Sequence, residues 1–189
     1  MPRAKRIVIV GTSGSGKTTF AKQLAAILDY PRIELDNLYW KENWTPTDRA
    51  IFAEKVKSAI AREHWVLDGN YSYVREMIWA RADMVIWLNY GFFTTLWRVV
   101  SRTIRRSLTR EVLWQGNRES LLLSFFSRES IILWMLKTYW KRRREYPAYF
   151  RDPENRHLQV KILTKPHEAD QLLQLFLSVS KSTISVDLG

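Results

Sequence analysis

The sequence predicts a three-layer α/β fold in which a parallel five-stranded sheet is covered by helices on both faces. Three observations predict it. Short runs such as "IVIV", "WVL" and "MVIWL" are apolar at every position instead of alternating, as strands buried on both faces are. Segments with helical apolar spacing separate these runs, giving the strand–helix alternation of a parallel sheet. A glycine-rich loop joins the first strand to the first helix, and such sheets hold ligands beyond the C-terminal ends of their strands. At 189 residues the chain reads as a single domain, 1–189, long enough for a substantial core.

Taken in order, Lys5 to Val10 is the first strand and Thr18 to Leu28 the first helix. Arg32 to Asp36 is a short second strand. "TPTDRAIFAEKVKSAIAREH" opens with capping residues and a proline in its first turn, then continues as an amphipathic helix. "WVLDGN" is a third strand ending in Asp-Gly, Tyr71 to Arg81 a helix, and "DMVIWLNY" the fourth strand. Phe92 to Arg110 is helical, with Arg98, Arg102 and Arg105 on one stripe. A loop around Gln115-Gly116-Asn117 leads to another helix, ending near Glu145. "HLQVKILTKP" is the fifth strand and Glu168 to Val179 a closing helix. Residues from about 98 to 151 depart from the alternation as a basic helical insertion, expected to act as a lid. The polar residues that end strands, Gly11, Asp36, Asp68, Asn89 and Thr164, are the first candidates for chemistry.

Composition narrows the classes. Apolar residues make up 46% and charged residues 26% of the chain, ordinary for a soluble globular protein. The absence of cysteine excludes disulfides and cysteine zinc sites, and the three histidines lack metal-ligand spacing. Arg3, Lys5 and Arg6 precede only four apolar residues before Gly11, too short a run for an export signal, so a cytoplasmic location is expected. Leu121 to Trp140 is apolar but interrupted by Arg128, Glu129 and Lys137, whereas a membrane span needs about 20 largely uncharged residues. The net charge of +11 attracts phosphates, whether of nucleotides, nucleic acid or lipid headgroups. Between Gly91 and Arg118 stand six arginines (98, 102, 105, 106, 110 and 118) against one acid, Glu111, and Lys141-Arg142-Arg143-Arg144 forms a second run. Arginine favours forked hydrogen bonding to phosphate oxygens; a solvated helix face is the plainer reading of each cluster.

Gly11-Thr12-Ser13-Gly14-Ser15-Gly16-Lys17-Thr18 fits the P-loop pattern G-x-x-x-x-G-K-[ST] in its strand–loop–helix context. Its backbone N–H groups form an anion nest at a helix N-terminus. Lys17 is expected to reach the β- and γ-phosphates of ATP and Thr18 to ligate Mg²⁺; Thr19 and Lys165 complete the nucleotide-binding set. Asp36, in "ELDNLYW", either accepts a proton from an acceptor hydroxyl, helps orient Mg²⁺ or caps a turn. Tyr39, Trp40 and Trp44 form either a stacking wall or a hydrophobic patch. Asp68 resembles a Walker B carboxylate that holds Mg²⁺ directly or through water, with Gly69 allowing close approach of substrate; a strand-ending turn is its plainer reading. Asp36 and Asp68 are expected to end adjacent strands.

The loop, "LDNLYW", "WVLDGNY", "ADMVIWL", "GNRES", "FFSRESIILW" and "KRRREYP" resemble the P-loop nucleoside-monophosphate kinases over nearly the whole chain. The resemblance is nearest to their bacterial adenylate-kinase-like relatives, often labelled DNA topology modulation proteins. It implies a P-loop NTPase fold, Mg-ATP as donor, and phosphoryl transfer with lid closure. Arg102-x-x-x-Arg106 is similar to the pair that packs on adenine and contacts phosphate. Arg106 is expected nearest the loop, with Lys141 to Arg144 farther out. Asp68-Gly69 matches the start of the family's D-G-F-P-R motif, which here becomes Asp-Gly-Asn-Tyr-Ser, so its phosphate-holding arginine is missing; Arg75 or Arg81 are substitutes from the next turns. Residues 37–64 are the acceptor-side segment and differ from a standard AMP-binding domain. Asp36 in "LDNLY" is equally similar to the acceptor-side aspartate of shikimate- and gluconate-type kinases. A kinase acting on a nucleoside monophosphate, slightly favoured over a hydroxylated metabolite, is therefore expected; the alternative is a nucleotide-gated DNA-binding protein using residues 98–151.

Overall fold

The computed structural model describes residues 4–109, 111–117 and 130–186, with backbone only for 182–186. The expected insertion therefore lies partly outside the described residues, including Arg110, Arg118 and the "FFSRE" part of the resemblance. The elements are β1 (Arg6–Gly11), α1 (Lys17–Leu28), β2 (Arg32–Glu34), α2 (Leu35–Tyr39), α3 (Arg49–Ala59), β3 (Trp65–Asp68), α4 (Ser72–Arg81) and β4 (Met84–Leu88). They continue with α5 (Phe92–Leu108), α6 (Ile131–Arg151), β5 (Gln159–Leu163) and α7 (Pro166–Val186). The strands form one parallel sheet in the order β2-β3-β1-β4-β5.

The alternation of β1 explains the two core layers. Ile7 and Ile9 face α1 and α7 beside Phe20, Leu24, Met84, Ile86 and Leu173. Val8 and Val10 face the opposite layer, with Phe52, Val56, Trp65, Trp79, Trp87 and Tyr146. Because β1 lies in the middle of the sheet, both of its faces are desolvated, and an apolar run without alternation is the result. A third, smaller cluster, Val99, Met135 and Tyr139, fastens α5 to α6.

Three boundaries differ from expectation. Arg32 to Asp36 is not all strand: β2 ends at Glu34 and Asp36 falls in the first turn of α2. The helix expected from Thr45 begins at Arg49, because the Asp48 carboxylate caps it by accepting from the N–H groups of Ala50 and Ile51, while Pro46 pairs with Trp40 in an isolated bridge. Helix α6 continues past Pro147 to Arg151, since Tyr146, Tyr149 and Phe150 pack on Trp79, and Tyr146 and Phe150 also on Trp87, and this burial outweighs the missing helical hydrogen bond. No helix among the described residues is long and apolar enough to cross a membrane.

Candidate active site

The residues from Gly11 to Gly16 wrap the space above β1 before α1 begins. Gly14 adopts φ 83°, and a Cβ there would come within 2.8 Å of the Thr95 carbonyl oxygen, so the loop and the first turns of α5 are packed as one unit. Ser15 is buried, its N–H donates to the Thr12 carbonyl at 3.1 Å, and its Oγ has no hydrogen-bond partner among the described residues. Lys17 bends back over the loop, its Nζ donating to the Thr12 carbonyl at 3.2 Å. Thr18 and Thr19 are exposed in the first turn of α1.

The sheet brings Asp68 to this loop. β3 is the neighbour of β1, and the Thr18 hydroxyl donates to Asp68 Oδ2 at 2.9 Å. Asp68 is almost fully buried, and its Oδ1 lies 3.8 Å from Arg32 Nε with no hydrogen-bond partner among the described residues. Burial first, and the neighbouring Glu34 second, raise its pKa to about 6, against the Thr18 hydrogen bond and the charges of Arg32 and Lys17. β2 and β3 are adjacent, in register Glu34 to Asp68, so Asp36 stands two residues beyond the strand end. Its Oδ1 accepts a hydrogen bond of 2.6 Å from the Tyr71 hydroxyl.

Gly69 is closely packed: at φ 148°, a Cβ there would sit 2.6 Å from the Leu35 side chain. The next two residues carry the departure from D-G-F-P-R. Asn70 clamps the loop, its Oδ1 accepting from the Gly11 N–H at 3.1 Å and from the Tyr146 hydroxyl at 3.0 Å while its amide donates to the Gly11 carbonyl. Tyr71 holds Asp36. Of the two suggested substitutes, Arg75 stacks over Tyr149 at 3.6 Å and Arg81 donates to the Ile60 and Ala61 carbonyls, which commits both to other contacts.

The basic residues are sorted differently from expectation. Lys17 is shifted down to about 8, first by burial, then by the charge of Arg142; Asp36 and Asp68 oppose the shift and Arg102 adds to it. Arg142 is therefore part of the Lys17 surroundings, whereas the Lys141–Arg144 run was expected farther out. Burial lowers the pKa of Arg142, opposed by Tyr146, Asp36 and Glu145, and its Nη1 has no hydrogen-bond partner among the described residues. Arg143 donates to the Asn89 and Tyr90 carbonyls at 3.1 Å each, tying α6 to the end of β4. Arg98 places Nη1 3.6 Å from where a Cβ on Gly16 would be. Arg106, expected nearest the loop, forms an ion pair with Glu111 at 3.3 Å because the chain turns back after α5. Lys165 is exposed at the start of α7, and its N–H donates to Glu168.

A second constellation lies over residues 40–45. Asn117 is buried; its amide donates to the Lys41 and Trp114 carbonyls, both at 2.8 Å, and its Oδ1 accepts from the Trp44 N–H at 2.9 Å. This pins the 111–117 turn on residues 40–45, where Trp40, Trp44 and Trp114 meet edge to face. Sequence reasoning missed Arg142, Asn70, Tyr71 and Asn117. The spacing Tyr139-x-x-Arg142-x-x-x-Tyr146 is the available signal for Arg142, since it puts the arginine on the helix face that both buried tyrosines share.

Sheet order, loop and flanking helices define the fold of the P-loop kinases. Among solved structures, the chain is similar to the shikimate kinase from Acinetobacter baumannii in complex with shikimate, at 18% identity and TM-score 0.56, covering 96% of this chain and 95% of that one. It is similar also to a shikimate kinase from Bacteroides thetaiotaomicron, at 16% identity and TM-score 0.55, covering 94% and 99%. A gluconokinase from Sinorhizobium meliloti 1021 matches at 19% identity and TM-score 0.51, covering 97% and 95%. At these identities the likeness establishes the fold. No protein-family model and no curated protein sequence matches the chain.

Proposed function

We propose that the protein is an ATP-dependent kinase that transfers the γ-phosphoryl group to a hydroxyl of a small acceptor. The observation that carries this reading is the convergence on Lys17 of Asp36, Asp68, Arg102 and Arg142 at the C-terminal ends of the central strands. Buried polar atoms without partners among the described residues, Ser15 Oγ, Asp68 Oδ1 and Arg142 Nη1, fit a site built for a polyphosphate and its cation. Thr18 and Asp68 supply two oxygen ligands, which suits Mg²⁺, an ion that draws its other ligands from water and phosphates. Bound there, Mg²⁺ supplies neutralisation of the phosphate charge.

The chain's own residues do the rest. The loop N–H groups and Lys17 stabilise negative charge on the β- and γ-phosphates. Tyr71 positions Asp36, which orients the acceptor hydroxyl and takes its proton. Arg142 and Arg102 bring guanidinium charge to the transferring group. Thr19 and Lys165 are kept with the nucleotide-binding set on the sequence alone, and Arg106 as a phosphate contact on the resemblance alone. A hydroxylated metabolite is favoured over a nucleoside monophosphate, because Tyr71 and Asp36 form a hydroxyl-directed pair where the monophosphate-binding arginine of D-G-F-P-R is absent. The DNA-directed alternative loses much of its surface, since Arg98, Arg102 and Arg142 lie by the loop. The test is ADP release from Mg-ATP with a panel of hydroxylated sugars, sugar acids and cyclic polyols beside the nucleoside monophosphates. Stimulation by one acceptor supports the kinase. Stimulation only by a monophosphate moves the acceptor assignment, and ATP turnover indifferent to every acceptor overturns it.

A further inference from the structure

We infer that the outward face of α5 and α6 is a docking surface for an anionic lipid membrane, a function separate from phosphoryl transfer. In α5, Arg98 and Arg102 lie toward the loop, and the opposite side carries Phe93 and Trp97 at 82% and 73% exposure. In α6, Trp134 and Trp140 are exposed at 54% and 58%. The two helices present one continuous surface, because the Phe92 ring packs on Phe93 at 5.5 Å and stacks on Trp140 at 6.1 Å. Four large aromatic side chains exposed by half or more on neighbouring helices are costly in water unless something covers them.

Charge selects the occupant. Lys137, Lys141 and Arg144 are exposed on α6 among these aromatics, α5 contains no acid, and the only acid of α6 is Glu145, ion-paired with Lys141. In a two-fold pairing with a second copy, a self-matched patch would set these cations against each other. Nucleic acid would satisfy the cations and stack on the rings. It has no use, however, for the exposed aliphatic members, Ile104 and Leu108 of α5 and Leu136 of α6. An anionic bilayer satisfies all three: phosphates for the lysines and arginine, the headgroup boundary for tryptophan, and the acyl boundary for the aliphatic residues.

The full chain is sedimented with vesicles of phosphatidylcholine, alone or mixed with phosphatidylglycerol, while tryptophan emission is followed. Binding is expected only to the anionic vesicles, with a blue shift and with quenching by brominated lipid, and it should weaken as salt rises. Phe93→Ser with Trp97→Ser should lower partitioning roughly tenfold. Lys137→Glu with Lys141→Glu should remove the preference for phosphatidylglycerol, at roughly fivefold per charge. Both variants should keep the wild-type circular dichroism and ATP binding. If a variant does not fold, salt dependence and brominated-lipid quenching of the wild type decide. Four results would each overturn the inference: no sedimentation with either vesicle, or tryptophans already shielded from acrylamide without lipid. The others are a concentration-dependent dimer abolished by Phe93→Ser with Trp97→Ser, or an oligonucleotide bound in preference to the anionic vesicles.

Discussion

Replacing Arg142 with methionine separates what the site does for catalysis from what it costs the fold. The guanidinium is partly buried and its charge acts on Lys17, and both pKa values are shifted down, Lys17 from 10.5 to about 8, with burial the largest cause and Arg142 the next. At about 1.4 kcal/mol per pKa unit, the whole Lys17 shift corresponds to ~3 kcal/mol of destabilisation of the charged form, an upper bound because the residue keeps partial exposure. Methionine keeps an apolar stem like that of Arg142 and removes the like charge. The nucleotide-free variant should therefore melt at the wild-type temperature or up to a few degrees higher, as when buried charges give way to apolar groups. Turnover should fall by roughly 10³–10⁵, the loss expected for an arginine that meets the transferring group. ATP affinity, measured by calorimetry, should change far less. The assay is ADP release at saturating ATP and acceptor beside thermal denaturation without nucleotide. Turnover within tenfold of wild type, or a large fall in melting temperature, would refute the reasoning and make Arg142 a structural residue.

Lys17→Ala should nearly abolish turnover in a folded protein, measured by the same ADP release, because the cation on the β- and γ-phosphates is lost. Asp68→Asn should raise the Mg²⁺ concentration needed for half-maximal turnover with any acceptor, whereas Asp36→Asn should spare ATP binding and depress kcat; matching Mg²⁺ titrations in the two variants would remove this division. Asp68 has its folded pKa raised to about 6, so its contribution to nucleotide-free stability is complete below its ordinary value of 3.8 and is lost as pH rises through 6. Mg²⁺ binding needs the carboxylate and should run the opposite way, weakening as pH falls below 6, which thermal denaturation across pH 4–8 with and without Mg-ATP will report. Asn117→Ala should cost about 1–2 kcal/mol, since the Lys41 carbonyl loses its amide donor and the Trp44 N–H its acceptor, and lower the melting temperature by roughly 2–8 °C.

The chain's periodicity alone determined the sheet. Runs such as "IVIV" are apolar throughout because β1 has neighbours on both edges and helices on both faces, and local pattern records that burial directly. The phosphate loop was legible for a related reason: its geometry is built from contiguous residues, Gly11 to Thr18, and is complete within one strand, one turn and one helix start. Thr18 and Asp68 were both expected at Mg²⁺, but their direct hydrogen bond depends on β3 lying beside β1, which the sheet order decides. What sequence could not determine is where long side chains from distant helices end. Arg106 and Arg142 look alike as members of basic clusters, yet the turn after α5 gives Arg106 to Glu111, while the Tyr139 and Tyr146 face of α6 carries Arg142 to Lys17. Tyr71 and Asn70 read as ordinary residues of an altered motif until the sheet sets them against Asp36 and Gly11. The physical reason is range: hydrophobic periodicity is a local property of the chain, whereas a charge's partner is chosen by the packing of elements far apart in sequence, and only the folded structure fixes that choice.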